Sequence, residues 1–235
     1  MSFTSIKFFS SDTRGGILHL IIMRRIALVW LLLSAVSGRG LYAQSPQAAT
    51  DSLRSGFAEK VHIAGVPNAG KISEHFYRGA QPQAGGLEQL KVLGITTIVD
   101  LRNEDSPTHD REQKEAESLG LHFVSIPVGG FSPPTSDQVA LFLALFAGDS
   151  KEAVFVHCHY GEDRTGVFVA TYRMGIEKWP VAQALNEMNY FGFRELWQRS
   201  MTSFVRKFPV LLASAPALQS WNVAKPAVSV ATPPN

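Results

Sequence analysis

Hydrophobic and polar positions between residues 76 and 207 follow two periods, and each period predicts a different element. Short β-branched and apolar runs bounded by glycine or polar turns are typical of buried strands. Apolar positions three or four residues apart, such as Leu87, Leu90 and Leu93, are typical of helices that bury one face. The pattern predicts strands at 76–78, 95–101, 121–128 and in a run that ends at His157. It predicts helices at 85–94, at 109–119, from Thr135 or Ser136 onward, and at 165–174, 180–190 and 195–207.

Strands and helices alternate along most of this region, and their order predicts the fold class. Such alternation favours an α/β fold, in which a mostly parallel central sheet is flanked by helices on both faces. Ligands of these sheets bind beyond the carboxyl ends of the strands. The apolar run 153–156 delivers Cys158 to such an end. The sequence therefore predicts a functional site around Cys158.

The first 43 residues differ in composition from the rest of the chain. Arg24 and Arg25 precede an apolar run at 26–36, and the small residue Ala43 follows at a suitable cleavage point. This pattern is typical of a secretory signal peptide. The run is shorter than the ~20 residues of a membrane span, although residues 17–22 add apolar length and leave a retained membrane anchor as the alternative. We expect a periplasmic or secreted protein, with membrane contact only if this segment is retained.

The remaining composition predicts the other boundaries. After a signal peptide at 1–43, about 190 residues remain, which is enough for one domain. Residues 44–71 are rich in Ala, Ser and Gly without a sustained period, so they predict a flexible linker. Residues 72–212 contain the predicted strands and helices and form the predicted domain. Residues 213–235 are rich in Ala, Pro, Ser and Val, which predicts a disordered tail.

The charge balance bears on possible partners. The chain has 22 Lys and Arg against 20 Asp and Glu. Residues 1–43 contain five basic residues and one acidic residue, so 17 basic and 19 acidic residues remain after them. The positive excess belongs to the N-terminal segment, and nothing in the balance favours a nucleic-acid partner. Because the chain has one cysteine, it cannot form an internal disulfide.

That cysteine lies in a segment with the layout of an anion-binding cradle. Cys158 follows the predicted buried strand, and Gly161 gives the next loop backbone freedom. Arg164 closes the loop, and Thr165 and Gly166 begin an apolar helix. This Cys-x5-Arg loop lies between a buried strand and a helix. Loop N–H groups and the helix N-terminus should therefore converge on one point.

The residue types in this loop predict a reaction. A helix N-terminus and a neighbouring cation favour the thiolate form of Cys158, which is a nucleophile. The guanidinium of Arg164 can donate two parallel hydrogen bonds to phosphate oxygens. A nucleophile, an anion cradle and a bidentate arginine within seven residues predict a phosphate-monoester hydrolase.

The motif around Cys158 resembles the signature loop of the cysteine-dependent protein tyrosine phosphatase superfamily, especially its compact dual-specificity-like branch. His157 and Cys158 are followed by five residues and then by Arg164, Thr165 and Gly166. Weaker similarity covers about 74–193, where 76–82 resembles the first strand and turn of that branch and 94–102 its second strand. The resemblance implies a cysteinyl-phosphate intermediate without a metal or an organic cofactor. The implied substrate is a phosphorylated protein, at tyrosine or at serine/threonine, or a small phosphorylated metabolite.

The resemblance also implies roles for individual residues. Cys158 attacks phosphorus, Arg164 holds two equatorial oxygens, and His157 lies behind the loop, where it orients the backbone and tunes the thiolate. Thr165 places its hydroxyl near the sulfur and eases breakdown of the intermediate. Substrate contacts are expected from His159, Tyr160, Gly161, Glu162 and Thr165.

The sequence leaves open which group protonates the leaving oxygen. Related phosphatases commonly use an aspartate from the loop between the third strand and the next helix, but residues 127–136 contain no carboxylate. Asp137 lies just beyond this interval, and Asp163 lies within the Cys158 loop. In phosphoinositide-directed relatives with a Gly-x-Asp-Arg-Thr loop, that aspartate is assigned as the acid. Asp163 is therefore the preferred candidate, Asp137 the second and Glu162 the third.

Three alternatives to a phosphatase use residues of the same types. His157, Cys158 and His159 are residue types that bind zinc, but neighbouring strand residues point to opposite sides, so no metal site is predicted. A rhodanese-like sulfurtransferase also uses a strand-end cysteine, with a loop of different size. A catalytically weak, phosphate-binding pseudophosphatase module is the alternative from a different functional class. The missing loop acid slightly favours that module, whereas the intact Cys158 and Arg164 count against it.

Overall fold

One six-stranded sheet organises residues 54–103, 107–148 and 152–222, which are the residues that a computed structural model of the chain describes. The strands are β1 (Glu59–Lys60), β2 (Gly70–Ser73), β3 (Phe76–Ala80), β4 (Thr97–Asp100), β5 (His122–Ser125) and β6 (Val154–Cys158). Their spatial order is β1-β2-β3-β6-β4-β5. Strands β3, β6, β4 and β5 are parallel neighbours, and β2 and β1 extend the sheet antiparallel beyond β3.

Helices cover both faces of this sheet. They are α1 (Gly86–Val92), α2 (Pro107–Ser118), α3 (Ser136–Ala144), α4 (Asp163–Gly175), α5 (Val181–Tyr190), α6 (Arg199–Ser214) and α7 (Gln219–Asn222), with a 3-10 turn at Pro216–Leu218 before α7. The predicted α/β fold with a mostly parallel sheet is confirmed. Within the described part of the chain, no helix has the length and apolar character needed to cross a membrane.

Strand β6 contributes to the cores on both faces of the sheet. Val154, Val156 and Cys158 belong to the larger core, which α3, α4, α5 and α6 cover. Phe155 belongs to the smaller core on the other face, with residues of α1 and α2. This is the two-residue alternation of a strand. Because both faces are covered, all five residues of β6 are buried.

A capping box sets the start of α3. Thr135 Oγ1 accepts a hydrogen bond from the backbone N–H of Gln138 at 3.2 Å, and Gln138 Oε1 accepts one from the backbone N–H of Thr135 at 2.8 Å. The pair satisfies two helix N–H groups that would otherwise lack acceptors. Of the two predicted N-cap residues, Thr135 is the one observed.

Helix α6 differs from the helix predicted at 195–207, because it begins at Arg199 and continues to Ser214. Pro209 lies inside the observed helix, although a proline removes a helical hydrogen bond. Apolar residues spaced three or four apart continue through the proline and are buried, which favours the longer helix. These residues are Met201, Phe204, Val205, Phe208 and Leu212.

Residues 54–71 differ from the flexible linker predicted for 44–71. They contain β1 and the start of β2, and the N–H of Ala58 donates to Glu187 Oε1 at 2.6 Å. Ile63 and Val66 are buried in the smaller core. Single apolar residues separated by turns are buried here without any period, so a period-based prediction overlooks them. The rest of the predicted linker and the whole predicted signal peptide at 1–43 lie outside the described residues.

The predicted tail at 213–235 also begins with ordered elements. Helix α6 extends to Ser214, and Leu218 is fully buried in the larger core. Trp221 of α7 packs against the same core. One buried leucine hardly changes the composition of an Ala- and Pro-rich stretch, but its burial holds this segment against the larger core. Residues 223–235 lie outside the described residues.

Candidate active site

Cys158 is the last residue of β6, and α4 begins at Asp163. We define the Cys–Arg loop as residues 158–164. It connects the central strand to the N-terminus of α4, at the edge of the sheet where ligands of parallel strands bind. The Cys158 side chain is buried, with 3% of its surface exposed.

Gly161 packs the loop directly on strand β3. Its φ of +70° lies in the left-handed region, which residues with a Cβ rarely adopt. A Cβ at this position would lie 2.5 Å from the carbonyl carbon and oxygen of Gly79. Both the conformation and the space therefore require glycine here. Its predicted approach to an anion remains a prediction.

Residues outside the loop donate hydrogen bonds to the loop carbonyls. The backbone N–H of Gln81 donates to His159 O at 3.3 Å. Asn68 Nδ2 donates to Tyr160 O at 3.2 Å and to Gly161 O at 3.3 Å. Arg78 Nη2 also donates to Gly161 O. Asn68 falls in the predicted linker. Pro67 and Asn68 are residue types that favour turns, and this was the local signal of an ordered segment there.

Arg164 lies in the first turn of α4 with its side chain folded inward. It is 7% exposed, and Nη1 donates to Val128 O at 3.3 Å. Val128 follows β5, so the guanidinium reaches across the carboxyl edge of the sheet. The next residue, Thr165, is fully buried, and its Oγ1 has no hydrogen-bond partner among the described residues. Cys158, Arg164 and Thr165 thus meet at one edge of the fold.

The His157 side chain lies on the opposite face of β6 from Cys158. Its Nε2 is 2.9 Å from Glu112 Oε1 of α2, without hydrogen-bond alignment. Its Nδ1 is 3.3 Å from Cys158 O, and its ring stacks on Phe155 with centroids 5.7 Å apart. His157 therefore connects the end of β6 to a buried ionic cluster.

Arg102 holds this cluster together. Its Nη2 donates to Asp100 Oδ2 and to Glu112 Oε2, at 2.7 Å each, and its Nε donates to Asp100 Oδ1 at 2.9 Å. Burial acts to raise the pKa of Asp100, but the hydrogen bonds from Arg102 outweigh it and hold that pKa at about 2. Asp100 is therefore an anion at neutral pH.

The same cluster also contains residue types that bind metal ions. Asp100, Glu112 and His157 offer ligand atoms within 4.8 Å of one another. The Arg102 guanidinium, however, already bridges the two carboxylates and compensates their charge. The cluster therefore fits an arginine rather than a metal ion. The zinc alternative at His157, Cys158 and His159 is not assembled, because His157 is buried in this cluster and His159 is exposed beyond β6.

The three candidate acids have different surroundings. Asp163 is half-buried, and its Oδ2 accepts a hydrogen bond from Gln198 Nε2 at 2.8 Å. Burial raises the pKa of Asp163, against the opposing effects of Gln198 and Arg164. Burial and the charge of Asp163 also raise the pKa of Glu162. Asp137 is exposed in the first turn of α3. A general acid needs a raised pKa to keep its proton near neutral pH, and the direction of the shift at Asp163 fits that role.

A cleft of about 880 Å³ lies beside the Cys–Arg loop. Its walls are the turn 81–85, helix α2 and the loop side chains His159, Tyr160 and Glu162. The rings of His159 and Tyr160 meet edge to face, with centroids 4.4 Å apart. The charged lining residues are four glutamates and one arginine: Glu88, Glu112, Glu115, Glu162 and Arg111. The cleft is therefore predominantly acidic.

Fold and site together define the class of this protein. A parallel sheet with helices on both faces, a cysteine at the carboxyl end of β6 and an arginine at the start of α4 are the features of a cysteine-dependent phosphatase of the protein tyrosine and dual-specificity superfamily. Residues 64–207 match the family model described as a DSP-PTPase phosphatase fused to NAD+ kinase, and the chain belongs to this family. It is accordingly a phosphoric monoester hydrolase.

Similar proteins agree with this assignment. The dual specificity protein phosphatase TpbA of Pseudomonas aeruginosa is 28% identical over 187 residues, which cover 78% of this chain and 83% of TpbA. A crystal structure of TpbA has a TM-score of 0.54 at 26% identity and covers 64% of this chain and 89% of its own. A cysteine-to-serine variant of TpbA in complex with phosphotyrosine has a TM-score of 0.55 at 23% identity, with 77% and 96% covered.

Proposed function

We propose that the chain hydrolyses phosphomonoesters through a cysteinyl-phosphate intermediate on Cys158. The observation that carries this proposal is the buried cysteine between β6 and the N-terminus of α4, with Arg164 closing the same loop. In the first step the Cys158 sulfur bonds to phosphorus, the phosphorus–oxygen bond to the leaving group breaks, and the leaving oxygen takes a proton. In the second step water bonds to phosphorus, the sulfur–phosphorus bond breaks, and orthophosphate leaves as the thiolate re-forms.

Arg164 and the loop backbone stabilise the charge on the transferred group. A planar guanidinium can hold two equatorial oxygens of the phosphoryl group through both steps. The N-terminus of α4 adds the positive end of its dipole. The buried Thr165 hydroxyl is placed one residue further along the same turn, where it can assist breakdown of the intermediate.

Asp163 is the proposed proton donor to the leaving oxygen. It lies at the start of α4, half-buried, and burial raises its pKa. After the first step the resulting carboxylate can accept a proton from the attacking water, so one group serves both steps. The Gln198 amide occupies Oδ2 and leaves Oδ1 to carry the proton.

The acidic cleft supports a monoester of low charge as the substrate. Glutamates along its walls disfavour polyanions such as inositol pyrophosphates, whereas the exposed Tyr160 ring can contact an aryl group. The phosphotyrosine complex of TpbA is in keeping with this choice. We therefore propose phosphotyrosine in proteins as the preferred substrate, with phosphoserine/threonine and small aryl phosphates accepted less well.

Turnover of p-nitrophenyl phosphate by the purified protein in EDTA tests the proposal. The expected result is metal-independent hydrolysis that vanadate inhibits and that Cys158→Ser abolishes. A panel of phosphotyrosine peptides, phosphoserine peptides and inositol polyphosphates then tests the substrate preference. Hydrolysis that requires an added metal would contradict the cysteinyl-phosphate mechanism.

A phosphate-binding module without turnover is the second candidate, and the absence of a carboxylate at 127–136 favours it. Such a module binds orthophosphate and leaves every phosphomonoester of the panel intact. Binding without turnover would therefore replace the first proposal with the second.

Export is proposed on the sequence of residues 1–43, with the periplasm or the exterior as the destination. Mass spectrometry of the exported protein should find an N-terminus near Gln44. A full-length species recovered from the cytosol alone would contradict export.

A further inference from the structure

Three consecutive carbonyl groups of the Cys–Arg loop accept hydrogen bonds from residues 68–81. His159 O accepts from the backbone N–H of Gln81. Tyr160 O and Gly161 O both accept from Asn68 Nδ2. Gly161 O also accepts from Arg78 Nη2. The donors all come from residues 68–81, and this segment packs on one side of the loop.

The direction of these carbonyls fixes the direction of the loop N–H groups. In a trans peptide the C=O of one residue and the N–H of the next point in opposite directions, and the described chain has no cis peptide bond. The N–H groups of Tyr160, Gly161 and Glu162 therefore point away from the donors at 68–81. Successive N–H groups that face one side make a concave anion site.

We infer that Asn68 and Arg78 are positioning residues of this anion site, because they hold the loop carbonyls on one side so that the loop N–H groups face a phosphoryl group on the other. The inference rests on the proposed function, since it assigns the anion to the substrate. Neither residue touches the reacting atoms. Both act through the peptide groups of the loop.

The surroundings of Arg78 favour this role over that of a structural ion pair. The side chain is fully buried, and its guanidinium lies 4.0 Å over the ring of Phe191. Among the described residues, Nε and Nη1 have no hydrogen-bond partner and no carboxylate lies within ion-pair distance. The buried arginines Arg102 and Arg173, by contrast, each bridge two carboxylates. The polar contact that Arg78 makes is with the loop.

Arg78 also brings positive charge to the back of the loop. Burial lowers its pKa to about 10, with Glu187, Cys158 and Glu162 opposing that effect and Arg173 adding to it, so the guanidinium remains charged at neutral pH. A cation that binds the C=O of Gly161 polarises the same peptide group, which makes the N–H of Glu162 a stronger donor. The charge of Arg78 thus strengthens a hydrogen-bond donor on the anion-binding side of the loop.

The backbone geometry of Asn68 suits a residue that holds the loop in one position. Its φ of 51° is left-handed, a conformation that asparagine tolerates better than most residues. Its Nδ2 donates to Phe191 O at 3.1 Å as well as to the two loop carbonyls. One amide group therefore joins the loop to the end of α5. Aspartate keeps the shape and the backbone tolerance but replaces the donor with an oxygen.

Matched variants test the inference through tungstate affinity. Asn68→Asp and Arg78→Lys, the two clamp variants, each disrupt hydrogen bonds to the loop carbonyls. Asn189→Asp and Arg173→Lys make the same chemical changes without contact to the loop and are the controls. Calorimetry with tungstate, kcat/KM for p-nitrophenyl phosphate and thermal denaturation are measured for all four. The clamp variants should lose at least ~10-fold in tungstate affinity and a similar factor in kcat/KM. The two controls should keep the affinity of the original protein.

The outcomes separate this inference from the proposed function. Folded clamp variants with unchanged tungstate affinity overturn the inference, whether or not the protein is a phosphatase. A protein that hydrolyses no phosphomonoester, yet binds tungstate less well after Asn68→Asp, keeps the inference and refutes the proposed function. If Asn68→Asp does not fold, Asn68→Ala removes the amide without adding charge and is measured in the same way.

Discussion

Gln198 donates a hydrogen bond from Nε2 to Oδ2 of Asp163 at 2.8 Å, and the same nitrogen lies 3.4 Å from Gly130 O. The side chain is buried just before α6. It therefore joins the preferred acid to the 127–136 interval, where related phosphatases commonly hold theirs. In this chain the interval has no carboxylate for the reaction. It contributes the carbonyl of Gly130, which contacts the side chain that holds Asp163.

Asp163→Asn should slow the hydrolysis of alkyl phosphates far more than that of activated aryl phosphates. A good leaving group departs without a proton, so loss of the acid costs it little, whereas a poor one loses roughly 10²–10⁴-fold. Asparagine can still accept the hydrogen bond from Gln198, which limits structural effects. Rates for a series of leaving groups provide the measurement.

The pH profile gives a second readout of the same change. Because burial raises the pKa of Asp163, its proton persists above the ordinary range of an aspartate and is lost as the pH rises through the raised pKa. The rate with poor leaving groups should fall over that range, and Asp163→Asn should remove the fall. Asp137→Asn is the control. If the leaving-group dependence appears in that variant instead, Asp137 is the acid.

Cys158→Ser should abolish hydrolysis and retain tungstate binding. The serine hydroxyl lacks the thiolate character required for attack, but the loop backbone and Arg164 are unchanged. Burst-phase and steady-state assays with p-nitrophenyl phosphate, together with calorimetry, measure both properties. Residual activity above roughly one per cent would refute the covalent mechanism.

Arg164→Lys should lower kcat/KM by roughly 10²–10³-fold, because an ammonium group cannot hold two equatorial oxygens as a guanidinium does. Arg206→Lys serves as the control, since Arg206 lies exposed on α6 and pairs with Glu195, which precedes that helix. Near-normal rates in the Arg164 variant would show that this side chain does not stabilise the transition state.

Asp100→Asn should lower the free energy of unfolding by about 2 kcal/mol at neutral pH. The folded-state pKa of Asp100 is about 2, below that of an unfolded aspartate. Its contribution is therefore present above the unfolded pKa and is lost as the pH falls towards 2. Urea denaturation at pH 7 and at pH 3 should show a smaller difference between variant and original protein at the lower pH. Asp110→Asn, on the exposed side of α2, should show little difference at either pH.

β6 and Asn68 differ in how far the sequence predicts their roles. The apolar run 153–156 leads into the end of β6, a loop with a glycine and a helix, so the local pattern located Cys158 and Arg164. Asn68 acts through contacts 92 and 93 residues along the chain, and its turn chemistry after Pro67 does not indicate those partners. Gln198 and Glu112 are of the same kind, since their roles depend on partners that only the folded chain brings near.

The element boundaries show a related limit. The end of β4 at Asp100 depends on the hydrogen bond that the backbone N–H of Arg102 donates to Asp100 Oδ1. The start of α3 at Ser136 depends on the one that Thr135 Oγ1 accepts from the backbone N–H of Gln138. The spacing of apolar residues predicts helices and strands well where an element buries a whole face. It fails where one residue, such as Leu218 or Ile63, anchors a segment by itself.

The hydrogen bonds from Asn68 to the loop carbonyls have a consequence for recognising enzymes among relatives. A search that requires only the cysteine, the arginine and their spacing scores the nucleophile and its partner, but not the support that orients the backbone between them. Homologues that keep the seven-residue motif and lack an amide at the position of Asn68 would be counted as active on this basis. Comparing that position across the family would identify the chains in which this support of the loop is missing, and in those chains we expect weaker anion binding and slower turnover.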